Sequence, residues 1–257
     1  MGHVQILRGV PSRAEGFDRT VRIYTPDAYD ARPGERFGVL YMHDGQNVFA
    51  HPESAMPDTW CANWAIEQLA HSGRTAPWLI VGVDSGPGRL AEYSAWPDHR
   101  SHVPGHGESY ARFLTDELKP WVDATYRTQP GSPSTATAGA SMGGLISLYL
   151  GLSRPQVFGR IGAFSPSVMW ADGAIFRAWH QHSRLWSRIY LDAGDGEFIR
   201  VNDIPMHYGD DTRSFHGHLR GLGYADWELS LVLEDGGLHH ERDWQRRLPS
   251  ALAWLLV

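Results

Sequence analysis

The sequence predicts a single α/β domain over residues 1–257, with a mostly parallel central sheet and helices on both of its faces. Three observations support this fold class. The chain has 257 residues, of which 42% are hydrophobic and 20% charged, so it can bury the core of one large domain. Short apolar runs alternate with longer helical patterns, which is typical of strand–helix–strand units. We find no repeat, low-complexity tract or linker that would divide the chain.

The elements follow from these patterns in chain order. Short apolar or alternating runs predict seven strands: Thr20–Tyr24, Gly38–His43, Trp78–Asp84, Ser134–Ala140, Arg160–Ser165, Arg188–Ala193 and Glu228–Glu234. Longer periodic segments predict five helices: Thr59–His71, Ser109–Ala124, Met142–Ser153, Asp211–Leu222 and Asp243–Leu256. A short link between the first strands indicates an antiparallel edge. Segment Asp84–Glu108 is rich in glycine and proline, which predicts either a long ordered loop over a functional site or a tolerated surface insertion.

Composition excludes several classes of function. The net charge of −6 repels phosphate backbones and argues against nucleic-acid binding. Cys61 is the only cysteine, which excludes an intrachain disulfide and a multi-cysteine metal site. Lys119 is the only lysine and precedes Pro120 at a predicted helix end, so neither a P-loop nor a Schiff-base lysine has a candidate. Residues 1–10 lack the apolar core of a signal peptide and no run is long enough to span lipid, so we expect a cytoplasmic protein with no membrane partner.

One motif carries chemistry. Gly139-Ala140-Ser141-Met142-Gly143 fits the pattern G-x-S-x-G. It follows a predicted strand and opens a predicted helix, which is the strand–turn–helix of a nucleophile elbow. Flanking glycines permit the sharp turn without a Cβ clash. The pattern predicts Ser141 as a nucleophile, the alternative being a serine that only shapes a turn.

A serine nucleophile needs a base, an acid and an oxyanion hole. The loop after the last strand offers His239 and His240, and their spacing alone does not choose between them. The penultimate strand and the turn after it offer three acids: Asp192, Asp195 and Glu197. For the oxyanion, the backbone N–H of Met142 is one predicted donor. The loop after strand Gly38–His43 supplies the other, where Gly45 allows an unusual turn and leaves the Gln46 N–H as donor.

The chain resembles the esterase branch of the α/β-hydrolases, which includes enterochelin esterases, feruloyl esterase domains and S-formylglutathione hydrolase, with mycolyltransferases as distant relatives. The similar blocks are separate and are spread over nearly the whole chain: residues 41–49, 117–120, 126–128, 138–144, 164–167, 190–194, 239–241 and 247–249, with Trp170 and Trp244. The resemblance implies a single-domain α/β-hydrolase that cleaves carboxylic esters through an acyl-enzyme and needs no cofactor.

The same resemblance implies roles for individual residues. It implies that Glu197 is the acid and His239 the base, giving a Ser-Glu-His triad. The sequence departs from the family in two places. His240 stands where the family commonly has asparagine or another polar residue. The turn reads Gly194-Asp195-Gly196-Glu197 where the family often has G-T-x-E, which leaves Asp195 as a rival acid.

Several interpretations stay open at this stage. The same triad could transfer the acyl group to an alcohol, and a non-catalytic binding protein could keep the fold. The expected partner is a small-molecule ester whose identity is open, as is assembly into a homo-oligomer. His216 and His218 are two apart on a predicted helix and point to different faces, so we expect no metal site. An aromatic cleft near the site is a further prediction, from Trp60, Trp64, Trp96 and Trp170, each of which could equally be a core residue.

Overall fold

The computed structural model describes residues 2–182, 184–201 and 204–257. Within them, eight strands form one sheet in the order β1-β2-β4-β3-β5-β6-β7-β10, and two more form a separate antiparallel pair. The strands of the sheet are β1 His3–Ser12, β2 Phe17–Thr25, β3 Gly38–His43, β4 Trp78–Val83, β5 Thr135–Ala140, β6 Arg160–Phe164, β7 Arg188–Gly194 and β10 Leu229–Glu234. The separate pair is β8 Phe198–Val201 and β9 Ile204–His207.

Helices connect these strands. They are α1 Asp27–Ala31, α2 Ala62–His71, α3 Arg89–Glu92, α4 Gly107–Arg112, α5 Lys119–Thr125, α6 Met142–Ser153, α7 Trp170–His180, α8 Tyr208–Gly221 and α9 Glu241–Leu255. A π-helical turn at Phe113–Leu118 joins α4 to α5, and 3₁₀ turns lie at Gly45–Asn47 and Ser132–Ser134. The five predicted helices correspond to α2, the α4–α5 run, α6, α8 and α9. None of the described helices is long and apolar enough to cross a membrane.

The sheet direction agrees with the prediction. Strands β4, β3, β5, β6, β7 and β10 are parallel to their neighbours in that order, whereas β2 pairs antiparallel with both β1 and β4. An antiparallel edge is therefore present, but its strands differ from the prediction: β4 lies between β2 and β3, which correspond to the first two predicted strands. The sequence patterns did not predict β1, β8, β9, α7 or the short helices α1 and α3. Strand β1 escaped because it lies at the sheet edge, where most of its side chains are exposed or half-buried and its register shifts between Leu7 and Val10.

Both faces of the sheet are covered, which explains why its central strands are continuously apolar. Along β3, Val39 and Tyr41 pack on one side and Leu40 and Met42 on the other, as the two-residue period of a strand requires. Helix α6 covers the first side, while α2 and α9 cover the second. The carboxyl ends of the parallel strands thus lie at one edge of the sheet, and ligand sites of parallel sheets lie at that edge.

Candidate active site

The turn between β5 and α6 places Ser141 at the carboxyl edge of the sheet. Its backbone has φ 58° and ψ −121°, a strained conformation for a residue with a Cβ. The turn is tight enough that a Cβ on Gly139 would lie 2.9 Å from the carbonyl carbon of Gly143. Gly139 is therefore needed for the close approach, as the motif predicts, whereas a Cβ on Gly143 would lie 3.4 Å from the Cβ of His43, an ordinary contact. Neighbouring strand β6 fixes the turn through the Ser141 N–H, which donates to Phe164 O at 2.9 Å.

A cavity of about 350 Å³ opens beside Ser141. Its lining comes from the ends of β3 and β5, the first residues of α3 and α9, the 3₁₀ turn after β3 and nearby loops: His43, Asp44, Gln46, Asn47, Trp60, Arg89, Ala140, Ser141, His239, Glu241 and Trp244. The fold thus brings together three residues that the sequence singled out, Ser141, His239 and Gln46, although they are far apart in the chain.

His239 is the histidine that pairs with a buried carboxylate. Its Nδ1 lies 2.8 Å from Oε2 of Glu197. The imidazole packs between the ring of Tyr208, with centroids 4.2 Å apart, and the edge of Trp244, at 4.9 Å and 85°. His240 points elsewhere: it is exposed and its Nδ1 accepts a hydrogen bond from the Arg242 N–H at the start of α9. It therefore acts as an N-cap.

Glu197 is held as an ionised carboxylate. It is 2% exposed, and its Oε1 accepts from Gly194 N at 2.6 Å, from Ser165 Oγ at 2.7 Å and from Arg247 Nη2 at 3.2 Å. Burial alone would raise the pKa of Glu197. The hydrogen bonds from His239, Gly194 and Ser165 outweigh that effect and hold the pKa below its usual value.

The other two candidate acids have different surroundings. Asp195 is exposed, and its Oδ1 accepts from the N–H of Gly236 at 2.7 Å, so it stabilises a turn. Asp192 is completely buried: its Oδ2 accepts from Tyr190 OH at 3.2 Å and lies 3.1 Å from Nε of Arg247. Burial raises the pKa of Asp192 to about 7, against the opposing effect of the guanidinium. Neither side chain hydrogen-bonds to His239 among the described residues.

Arg247 of α9 connects three carboxylates near the site. The sequence patterns assigned it no role. Its side chain is 4% exposed and lies 3.1 Å from Asp192, 3.2 Å from Glu197 and 2.9 Å from Glu234. The single buried guanidinium of Arg247 thus forms ion pairs with three carboxylates. Ser165 belongs to the same network, because its hydroxyl also accepts from Trp244 Nε1 at 2.9 Å. Both residues lie in blocks that carry the family resemblance, which was the one signal that marked them.

The Ser141 hydroxyl has a hydroxyl neighbour. Its Oγ lies 3.3 Å from Ser167 Oγ, which in turn lies 3.2 Å from the hydroxyl of Tyr208. Burial raises the pKa of Tyr208 despite its hydrogen bonds to Ser167 and Ser141. Within the described residues, no hydrogen bond joins Ser141 Oγ to His239. The two side chains line the same cavity.

Both predicted oxyanion donors stand at the start of helical turns. Met142 is the first residue of α6, and Gln46 lies in the 3₁₀ turn Gly45–Asn47 that follows β3. The first N–H groups of a helical turn have no partner within it, so they are available to an anion. The left-handed residue of this unusual turn is Asp44, with φ 56°. Gly45 is required by packing instead, because a Cβ there would lie 2.6 Å from the backbone of Gly82.

The predicted aromatic cleft is only partly formed. Trp60 lines the cavity, where it stacks on Trp244 with centroids 5.6 Å apart. Trp64 is exposed, Trp96 packs edge-on against Tyr149, and Trp170 belongs to the hydrophobic core. One of the four predicted residues therefore faces the site, and Trp244 completes the aromatic wall.

One group of side chains has metal-type ligands. Oxygen and nitrogen atoms of Asp27, Glu67 and His71 lie within 4.8 Å of one another, and none of these residues lines the cavity. Glu67 already accepts hydrogen bonds from the hydroxyl of Tyr24 and from the Asp27 N–H, and its Oε1 lies 3.4 Å from His71 Nε2. Hydrogen bonding within the protein accounts for this group, and we assign no metal to it.

The fold and the site define the class of the protein. A parallel sheet with a strained serine turn, followed by a carboxylate–histidine pair after later strands, is the arrangement of an α/β-hydrolase. Residues 12–255 match the family model described as "Putative esterase", so the chain belongs to this esterase family of carboxylic ester hydrolases.

Three comparisons illustrate the range of the family. The chain is 25% identical over 254 residues to uncharacterized protein YbbA of Bacillus subtilis, covering 97% of each chain. It is 35% identical over 178 residues to the ferri-bacillibactin esterase BesA of the same organism, covering 64% of this chain and 58% of BesA. Among solved structures, a ferulic acid esterase superposes with a TM-score of 0.76 at 17% identity, covering 100% of this chain and 98% of the other.

Proposed function

We propose that the chain is a serine carboxylic-ester hydrolase with a Ser141–His239–Glu197 triad. The observation that carries this proposal is the 2.8 Å contact between His239 Nδ1 and the buried Glu197 carboxylate, beside the cavity that Ser141 lines. The carboxylate would hold the imidazole with its proton on Nδ1, which leaves Nε2 free to accept the serine proton. The backbone N–H groups of Gln46 and Met142 form the oxyanion hole in this proposal.

The first half-reaction forms an ester to the enzyme. Ser141 Oγ attacks the ester carbonyl carbon while its proton moves to His239 Nε2, and the carbonyl oxygen becomes an oxyanion held by the two N–H groups. The tetrahedral intermediate then collapses, and the alcohol leaves with the proton returned by His239. Glu197 stabilises the imidazolium throughout, without taking its proton.

The second half-reaction releases the acid. Water enters the cavity and loses a proton to His239 Nε2 as it attacks the acyl carbon. The second tetrahedral intermediate collapses, Ser141 regains the proton from His239, and the carboxylic acid departs. If an alcohol took the place of water, the same steps would transfer the acyl group, so the acceptor is part of the test below.

The lining of the cavity favours an ester with a flat apolar part. Trp60 and Trp244 form an aromatic wall, and a volume of about 350 Å³ is at the small end of ligand cavities. A small aryl or acetyl ester fits this description better than a bulky one. Relatives act on both kinds of substrate by name, a ferulic acid ester in one case and ferri-bacillibactin in another.

The test is a hydrolysis screen with matched variants. Wild-type protein, Ser141→Ala, His239→Ala and His240→Ala would be assayed on p-nitrophenyl acetate, a feruloyl ester, an acetylated sugar and a trilactone, with and without added alcohol. We expect the first two substitutions to abolish turnover, and His240→Ala to leave it within a few-fold of wild type because that side chain only caps α9. Full activity of Ser141→Ala, or a reversed ranking of the two histidines, would refute the assignment.

The remaining expectations belong to this proposal as well. We propose a cytoplasmic enzyme that acts on a free small-molecule ester. Cell fractionation and the molar mass in solution measure its location and any self-association.

A further inference from the structure

Two segments meet beside the cavity that Ser141 lines. We call residues 44–47 the oxyanion loop and residues 85–93 the bracing segment. The bracing segment lies near the start of the stretch Asp84–Glu108, for which the sequence predicted either a loop over a functional site or a surface insertion. Of that stretch, Arg89 lines the cavity, while its neighbours Ser85 and Tyr93 contact the oxyanion loop.

Asp44 is held through both its side chain and its backbone. Arg89 Nε donates to Asp44 Oδ1 at 2.6 Å, and Arg89 Nη2 donates to Oδ2 at 2.7 Å. Two parallel charge-assisted hydrogen bonds fix orientation as well as distance. The Asp44 N–H donates to the hydroxyl of Tyr93 at 3.0 Å. The bracing segment therefore fixes the position and the rotation of Asp44.

Gln46 is held by a reciprocal pair of hydrogen bonds. Its Nε2 donates to Ser85 Oγ at 3.0 Å, and the Ser85 N–H donates to its Oε1 at 3.1 Å. The side chain of Gln46 therefore lies on the bracing segment. This leaves its backbone N–H, the proposed oxyanion donor, at the start of the 3₁₀ turn.

The oxyanion loop needs these contacts because its backbone is strained. Asp44 has φ 56° and ψ 49°, a left-handed conformation that residues with a Cβ seldom adopt. Such a conformation persists only where the surroundings determine it. The loop is also close to the nucleophile, since a Cβ on Gly143 would lie 3.5 Å from Asp44 Oδ2. A shift of Asp44 would thus be transmitted to the donor beside Ser141.

The bracing segment is itself anchored to the sheet. Buried Glu92 accepts from the N–H groups of Gly86 and Gly88 at 2.9 and 3.0 Å. Arg19 of β2 donates to the same carboxylate at 2.9 Å. The segment that holds the oxyanion loop is therefore fixed to a strand rather than free in solvent.

We propose that Arg89 is a positioning residue of the oxyanion hole. It acts through Asp44 to hold the Gln46 N–H toward the carbonyl oxygen of the substrate. The inference rests on the proposed function, because it requires Ser141 to generate an oxyanion. Its competitor is direct binding of an anionic substrate group by Arg89, whose side chain is 34% exposed.

The experiment compares Arg89→Met and Arg89→Lys with Arg184→Met. Arg184 is a matched control, because its side chain is also 34% exposed and pairs with both oxygens of one carboxylate, that of Glu228. Loss of an oxyanion donor lowers kcat by about 10²–10³-fold, and displacement of a donor should have a smaller effect. We therefore expect Arg89→Met to lower kcat on p-nitrophenyl acetate by at least about tenfold, with little change in KM. The kcat of Arg89→Lys should lie between those of wild type and Arg89→Met, because the lysine ammonium group cannot form two parallel hydrogen bonds to Asp44. Arg184→Met should match wild type.

A transition-state mimic separates positioning from a merely structural role. Phenylboronic acid forms a tetrahedral adduct with an active-site serine, so its inhibition constant reports on the oxyanion hole. We expect this constant to rise in Arg89→Met by the same factor by which kcat/KM falls. An unchanged inhibition constant in a folded variant would overturn the proposal.

A double-mutant cycle with Asp44→Asn identifies the route of the effect. If Arg89 acts through Asp44, the double variant should be no worse than the poorer single variant. Additive losses, or a rise in KM confined to carboxylate-bearing esters, would show that Arg89 binds substrate and would overturn the proposal.

Two further variants keep the outcome interpretable. Ser85→Ala leaves every charge in place and removes one contact to Gln46, so it should lower kcat by a few-fold even if Arg89→Met does not fold. Wild-type kcat in both folded Ser85→Ala and Arg89→Lys would refute the inference. Activity in Ser141→Ala would instead refute the proposed function, which distinguishes the two failures.

Discussion

On the oxyanion side of Ser141, the Arg89–Asp44 ion pair keeps a third of the arginine side chain in solvent, at 34% exposure. On the acid side, Arg247 is 4% exposed and lies among Asp192, Glu197 and Glu234. Water can partly replace a lost partner on the first side. On the second, loss of Arg247 would leave the buried carboxylates of Asp192 and Glu197 without their cation.

This difference indicates that the ion pair on the oxyanion side controls the loop geometry, whereas the network on the acid side controls the ionisation of the carboxylates. The Arg89–Asp44 pair fixes the backbone of a strained loop through two parallel charge-assisted hydrogen bonds. The buried network instead sets the ionisation state of each acid, as the lowered pKa of Glu197 and the raised pKa of Asp192 show. Substitutions on the oxyanion side should therefore change kcat more than stability, while those on the acid side should change both.

The largest expected effect is on the acid itself. Glu197→Gln should keep the fold but lower kcat by roughly 10³–10⁴, because an amide cannot stabilise the imidazolium of His239. Asp195→Asn is the control, since that exposed carboxylate caps a turn, and it should remain close to wild type. The measurement is kcat at equal folded concentration, checked by circular dichroism. A large loss of kcat in Asp195→Asn alone would show that Asp195, and not Glu197, is the acid.

A smaller effect should appear in the pH dependence of stability. Burial raises the pKa of Asp192 to about 7, while Arg247, Tyr190 and Glu197 also face it. The ordinary aspartate value is about 3.9, so the native state holds a proton that the unfolded state lacks between these two pH values. The associated stabilisation is complete below about pH 4 and is lost as the pH rises through about 7.

Asp192→Asn should remove this dependence. Relative to wild type, the free energy of unfolding of the variant should improve as the pH rises from about 4 to 8, by an amount on the order of 1–3 kcal/mol. Urea denaturation at several pH values, with Asp195→Asn as control, measures it. A difference that stays constant across this range would show that Asp192 is ionised throughout and stably paired with Arg247.

The sequence could predict what depends on local pattern. Strand β3 is a continuous apolar run and Gly139-Ala140-Ser141-Met142-Gly143 carries its own turn chemistry, so the sheet and the elbow were predictable. Strands at the edge and outside the main sheet were not, because their pattern is not that of a buried strand. Spacing could not choose His239 over His240, since both lie in one loop and only the fold shows which ring meets Glu197.

The ionic networks were beyond reach for a different reason. Arg89 and Asp44 are 45 positions apart, and Arg247 and Asp192 are brought together only by the packing of α9 against β7. Arginine has no motif that distinguishes a buried partner from a surface charge. Such pairs become visible only once the tertiary contacts are known.

The finest comparison uses one serine hydroxyl from each side. Ser165 is 0% exposed and its hydroxyl joins Trp244, Arg247 and Glu197, whereas Ser85 is half-buried and contacts Gln46. Ser165→Ala leaves the buried Trp244 N–H without its partner, so it should cost about 1–3 kcal/mol of unfolding free energy.

Ser85→Ala should cost less than about 1 kcal/mol, because water can reach the vacated position. Relative to the unfolding free energy that each variant loses, the decrease in kcat should be larger for Ser85→Ala, because the Ser85 hydroxyl fixes the oxyanion loop. Chemical denaturation and kcat on the same preparations measure both quantities, with Ser214→Ala on the exposed face of α8 as a neutral control. Equal stability losses at Ser165 and Ser85 would contradict the distinction between a buried acid side and a partly solvated oxyanion side.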